Sequence, residues 1–150
     1  MHDNSIEASI FRFLSQYSYD EKDLDYSLLD QYIQSLQMMS VVSNSGVSVF
    51  YMNKMEVAFY SANFGSLLGY SPADYANDNY RFFEDKMHPD EKQRLALTGI
   101  SLLKLFDAFS PQEKMNHKVI SAYRMRNAEN KYIQLVEQYQ VLALDKTGTM

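Results

Sequence analysis

Two of the chain's three prolines stand where helices should begin and the third where one should end, and these positions partition the middle of the sequence. Proline is tolerated at the first helical residue because that N–H has no partner in any case. Pro72 sits between the capping residue Ser71 and the first-turn acid Asp74. Pro89 sits between His88 and the acidic pair Asp90 and Glu91, whose charges suit the positive end of a helix. From Pro89 the residues Leu95, Gly99, Leu102, Leu103, Phe106 and Phe109 fall on one face, so a long principal helix is predicted, closed by Ser110 and Pro111. Before Pro72, SANFGSLLGY predicts a short helix. Ser61 would accept from the N–H groups of the following turn, Phe64, Leu67 and Leu68 would face inward, and Gly69 would take the left-handed end before Tyr70 folds back.

Ahead of this the pattern is helical and then extended. Ile6, Ile10, Phe13 and Leu14 recur at helical spacing, and a longer amphipathic helix runs to about Met39 with Leu24, Leu28, Tyr32 and Leu36 on one stripe. From Gly46 the run Val47 to Met52, the turn residues Asn53 and Lys54, and a second run Val57 to Tyr60 read as a β-hairpin, apolar on both faces and so covered on both. Asn116–Arg126 and Lys131–Leu144 are two further extended runs joined by Asn127–Asn130, a long antiparallel hairpin, and Asp145–Gly148 spells another turn. Residues 1–45 are thus expected to be a helical extension and 46–150 one α+β domain, an antiparallel sheet with short helices and one long helix on one face.

Charge and composition then exclude whole classes. All of the formal net charge of −5 lies before Gly46, where seven acids face two bases; the remainder carries twelve of each. A neutral body offers no basic face for phosphates, so this domain is not expected to bind nucleic acid. Absence of cysteine removes disulfides, thiol nucleophiles, zinc-cysteine sites and cysteinyl-flavin photochemistry. Apolar runs are too short to span a bilayer and no secretory signal pattern opens the chain, so a cytoplasmic location is expected.

The order of elements, read with the motifs YSANFGSLLGYSPADY, MHPDEK and YRMRNAENKYIQLVEQYQVLALDKTG, resembles the PAS family, in particular the PAS-3-like branch found at the N-terminus of some bacterial LuxR-type transcription regulators. The resemblance covers roughly Gly46 to Gly148. It implies a five-stranded antiparallel sheet cupped around a small cavity, acting as a sensory or dimerising input module, and not an enzyme. The last strand would lie in the middle of the sheet, yet only four extended runs precede Met150. The chain is therefore expected to be a fragment of a longer regulator, the gap being closed by a rearranged strand, a second molecule, or residues beyond Met150.

On that footing the candidate walls of a ligand pocket are Tyr51, Phe59, Phe64, Leu68 and Tyr123, with Phe83 also expected on the helical side. The ligand expected is small and apolar or aromatic, its identity left open. Haem is disfavoured because His88 stands at a helix entrance as a cap, and His2 and His117 do not converge with it, so no metal site is read. Glu84, Asp85, Asp90 and Glu91 read as solvated acids favoured by the helix dipole, and Arg124 and Arg126 as a solvated sheet face. The competing readings are a small NTF2-like hydrolase or isomerase using a buried carboxylate with Tyr, for which Glu137 is the one strand acid on an apolar face, and a purely structural dimeriser. Partnering is expected as a homodimer through the N-terminal helix stripe.

Overall fold

The computed structural model describes residues 26–52, 54, 56–78, 80–146 and 148, with Tyr26, Leu28 and Leu29 by backbone only. The helix expected around Ile6, Ile10, Phe13 and Leu14, the stripe residue Leu24, and His2 lie outside the described residues. Among the described residues five helices and four strands form an α+β arrangement. In order they are α1 (Tyr26–Ser43), β1 (Ser48–Tyr51), β2 (Glu56–Tyr60), a 3-10 turn (Ser66–Leu68), α2 (Pro72–Tyr75), α3 (Arg81–Lys86), α4 (Pro89–Asp107), α5 (Pro111–Asn116), β3 (Lys118–Arg126) and β4 (Tyr132–Gln140). The strands pair as two antiparallel two-stranded sheets, β1 with β2 and β3 with β4. A single five-stranded sheet, as the resemblance implied, is not shown among the described residues.

Two compact units divide the chain, one holding Asp25–His88 with Arg124–Gln134, the other Pro89–Tyr123 with the chain from Leu135. In the first, β1 and β2 are antiparallel with Val49 opposite Phe59 but Phe50 opposite Val57, so Ala58 is an extra residue and the hairpin carries a bulge. Helix α1 ends at Asn44, whose φ of 51° is a left-handed conformation that asparagine tolerates. Its docking face is polar: Ser40 is fully buried, its carbonyl accepts from Asn63 Nδ2 at 3.1 Å, and Gln37 Oε1 accepts from the Ala62 N–H at 3.3 Å. Ser61, also buried, does not cap the following turn with its side chain as expected. Its Oγ accepts from the Val47 N–H at 2.9 Å and donates to Asn63 Oδ1 at 2.8 Å.

The short helix expected in SANFGSLLGY is a single 3-10 turn, and on so short a turn Leu68 is buried while Leu67, expected inward, points out and is 54% exposed. Gly69 takes φ 79° and closes the 3-10 turn, and Asp74 Oδ2 accepts from both the N–H and the hydroxyl of Ser71, at 2.7 and 2.9 Å. The tip of the β3–β4 hairpin is fastened by backbone. Ala128 N–H donates to the Leu68 carbonyl at 2.8 Å, Tyr70 Oη to the Arg126 carbonyl at 2.9 Å, and His88 N–H to the Arg124 carbonyl at 3.0 Å beside an isolated bridge between Met87 and Met125.

In the second unit α4 begins at Pro89 and turns Phe106 inward, with Leu95, Gly99, Leu102, Leu103 and Phe109 half-buried along the same face. Glu91 differs from its sequence reading. It is buried rather than solvated, and its Oε2 accepts from Arg94 Nη2 and Nε at 2.6 and 2.9 Å, while Nη2 also reaches the Ala122 carbonyl at 2.8 Å. A buried carboxylate requires such a partner. Ser110 and Pro111 both end α4 and start α5, a helix absent from the sequence reading: Glu113 Oε2 accepts from the Ser110 N–H and hydroxyl at 2.8 and 2.7 Å, and Ser110 Oγ accepts from the Glu113 N–H at 3.3 Å. The Asp145–Gly148 turn forms, closed by the Gly148 N–H on the Asp145 carbonyl at 3.0 Å, and the buried Lys114 Nζ donates to the Gly148 carbonyl at 2.8 Å.

Candidate functional site

The densest chemistry of the first unit is a cluster of aromatic rings set on one face of the β1–β2 hairpin. Strand alternation puts Phe50 and Tyr60 on that face and Val49, Tyr51 and Phe59 on the other. Tyr60, the last residue of β2, meets Phe64 from the following turn at 4.5 Å between ring centroids, Tyr75 from α2 at 5.2 Å and Phe83 from α3 at 5.8 Å. Phe83 in turn meets Tyr75 at 4.8 Å and Phe64 at 5.0 Å, the latter edge to face, and Phe82 lies 6.0 Å from Tyr75. Gly65 makes room for this packing, since a Cβ there would stand 2.8 Å from Tyr75 Cε1. Lys86 Nζ lies over Phe82, 4.8 Å from its centroid.

Two hydroxyls enter this apolar surrounding. Burial, and then the neighbouring Tyr75, push the Tyr60 phenol up to about 12, so it stays a neutral donor across the physiological range. The Tyr75 side chain is only 4% exposed, and its hydroxyl has no hydrogen-bond partner. A buried donor left unmade costs about 1–3 kcal/mol, set here against the packing of the Tyr75 ring on four others.

Of the five residues expected to line a pocket, Phe64 belongs to this cluster. Leu68 is buried in the same unit at the end of the 3-10 turn. Tyr51 and Phe59 lie half-buried on the opposite face of the hairpin, Tyr51 with Lys54 Nζ 5.5 Å over its ring and Phe59 opposite Val49. Tyr123 falls in the other unit. Phe83 is where the helical side was expected to supply it; Tyr60, Tyr75 and Phe82 were not named. The parity of the strand held the missing signal, because Tyr60 rather than Phe59 leads directly into the turn that carries Phe64.

In the second unit Tyr123 is committed elsewhere. Its hydroxyl donates to Glu137 Oε2 at 2.5 Å, and Tyr139 donates to the same oxygen at 2.6 Å. Burial first, and then the Glu137 charge, raise the Tyr123 phenol well above the ordinary tyrosine value, and the more open Tyr139 is raised in the same direction beside Glu137, so both remain donors. Among the described residues no three His, Cys, Asp or Glu side chains come together as a metal site, and no helix is long and apolar enough to cross a membrane. His88 lies with its ring 4.6 Å from that of Tyr132, and His117 with its Nδ1 2.7 Å from the Glu113 carbonyl. The chain matches no family model, and no curated protein matches it.

Proposed function

We propose that this protein is a signal-input module of the PAS-like kind, cytoplasmic, which takes a small apolar or aromatic molecule and passes the event to a partner or an output domain of a transcription regulator. The observation that carries the reading is the ring cluster with an unpartnered, buried Tyr75 hydroxyl. The order helix, hairpin, short helices, long helix, hairpin supports it. Native mass spectrometry of freshly purified protein is the direct test: extra mass that is lost on denaturation is expected, and a bare polypeptide mass from several expression hosts would count against ligand sensing.

Homodimerisation through the N-terminal helix is part of this proposal. Along the predicted stripe Tyr32 is exposed and Leu36 half-buried, while the last turns of α1 expose Met38, Met39, Val41 and Val42, the last at 89%. Helix α1 carries one charge, Asp30, so like faces would not repel strongly there. Light scattering on a chain beginning at Ser43 should report a monomer; an unchanged dimer would assign the helix to its own domain.

The second reading, an NTF2-like hydrolase or isomerase, is favoured by one contact, the pairing of Glu137 with Tyr123 and Tyr139. We rank it below the first because Glu137 Oε2 already holds two tyrosine hydroxyls. Turnover of simple esters or enolisable ketones that disappears in Glu137→Gln would reverse the ranking.

A further inference from the structure

We infer that Met38 and Met39 are a paired oxidation site, and that their conversion to the sulfoxide by a peroxide takes the protein out of its dimer; this rests on the homodimer reading above. Helix α1 divides its residues between two faces at one spacing. Ile33, Leu36, Gln37 and Ser40 stand at i, i+3, i+4 and i+7 and are half-buried, Ser40 fully so, while Ser35, Met38, Met39 and Val42 repeat that spacing on the other side and are exposed. Of the described methionines these two are the most open, 72% and 61% exposed against 40% for Met115; Met52 and Met87 are half-buried and Met125 is buried. The chain has no cysteine, so an oxidant that attacks sulfur finds only thioethers, and it finds the accessible ones first. The step is an oxygen transfer. The thioether sulfur attacks one oxygen of hydrogen peroxide, the O–O bond breaks, the proton of the transferred hydroxyl passes to the departing hydroxide, and methionine sulfoxide and water result. A pliable apolar side chain thereby becomes a polar one carrying a strong acceptor. The nearest residues of that face do not meet it: Val42 has no donor, and the Ser35 hydroxyl is already given to the Gln31 carbonyl at 3.3 Å. Covering this face with a second copy would then bury a poorly matched acceptor at each sulfoxide. Dimer and sulfoxide therefore exclude one another, the seam shielding the thioethers in the dimer and the sulfoxides closing the seam in the monomer.

The full chain is treated with hydrogen peroxide, with light scattering reading its oligomeric state and peptide mass mapping reading each methionine, for the wild type and for the double substitution Met38→Leu with Met39→Leu. The expected result is a wild-type dimer weakened at least about a hundredfold once Met38 and Met39 each carry one added oxygen, and restored by methionine sulfoxide reductases of both stereospecificities. The leucine variant keeps an apolar seam without sulfur and should stay dimeric through the same treatment. Oxidation of Met38 and Met39 should also slow as protein concentration rises through the dimer dissociation constant, while that of Met115 keeps its rate. A wild-type dimer that persists with both sulfoxides in place would overturn the inference and leave homodimerisation standing, and so would a leucine variant that dissociates at the same peroxide dose. A wild type that is monomeric before any peroxide is added would overturn the homodimer reading, and this inference with it.

Discussion

Replacing Gly65 with alanine adds one methyl group at the tightest point of the ring cluster. The backbone there is ordinary, φ −81° and ψ −8°, so alanine adopts it without strain. Through the unfolded chain alone the change would stabilise by about 0.4–1 kcal/mol. The space opposes it. The new carbon would lie 2.8 Å from Tyr75 Cε1, 2.9 Å from the Tyr70 carbonyl oxygen and 3.2 Å from Tyr70 Cβ, where carbon atoms normally rest about 3.5–4.0 Å apart. None of these neighbours yields easily. Tyr70 is held at its hydroxyl by the Arg126 carbonyl and at its N–H by the carbonyl of Gly65 itself, and the Tyr75 ring is wedged against Tyr60, Phe64 and Phe83. Overpacking of this kind costs about 1–3 kcal/mol, so the net loss should be about 1–2 kcal/mol, lowering the melting temperature by about 2–8 °C. Gly99, in mid α4, is the control: nothing lies within 4 Å of its Cβ position, and Gly99→Ala should stabilise by about 0.5–1 kcal/mol. Urea unfolding followed by far-ultraviolet circular dichroism reads both. A Gly65→Ala protein as stable as wild type, alongside a normal Gly99→Ala, would refute the packing of Tyr75 against Gly65.

Ser110→Ala removes the cap of α5 and should cost about 1 kcal/mol in the same urea assay, and a neutral result would mean the capping box does not hold the helix. Glu113 is held below its ordinary value of 4.5 by the Ser110 N–H and then the Ser110 hydroxyl, so the unfolded chain binds its proton first as pH falls. This contribution is present above about pH 4.5 and is lost on acidification through the folded value; Glu113→Gln should flatten the acid limb of the stability profile, and an unaltered limb counts against the contact. Tyr123 and Tyr139 are raised, so the sign reverses: their contribution is complete below about pH 10 and falls as pH rises, the unfolded phenols ionising first. Tyr139→Phe should make that alkaline decline shallower, as read from urea midpoints between about pH 9 and 11, and a decline as steep as wild type would dissociate Tyr139 from Glu137.

What could be read from the sequence was mostly what is decided within one turn of chain. Ser71, Pro72 and Asp74 announce α2 because donor, acceptor and restricted φ are neighbours, and Gly69 and Asn130 take the positive φ that their positions demand, 79° and 61°. The buried face of α4 followed from spacing alone. Pro111 shows the limit of such reading: the same proline that stops one helix can open the next, and only the Ser110–Glu113 pair three residues apart separates the two outcomes. Features set by distant residues were less accessible. The burial of Glu91 depends on Arg94 also reaching the Ala122 carbonyl, and the membership of Tyr60 rather than Phe59 in the ring cluster depends on which face α2 and α3 cover. The five-stranded sheet was carried by the resemblance, not by pairing signals in the strands, and the described strands pair two by two.

Ser61 is the residue immediately after Tyr60, and its hydroxyl is shared between the Val47 N–H and Asn63, whose amide reaches the Ser40 carbonyl of α1. One peptide bond from Tyr60, two hydrogen bonds in series therefore run from Ser61 through Asn63 to the helix, with a third branching to the start of the hairpin. Each of the three is part-buried, between the fully buried hydroxyl-bearing residues Ser61 and Ser40 and the half-buried Asn63. The turn of α1 that this network reaches is the one that exposes Met38, Met39, Val41 and Val42. One small hydroxyl thus ties the strand that carries Tyr60 to the helix end that leaves the most apolar surface open.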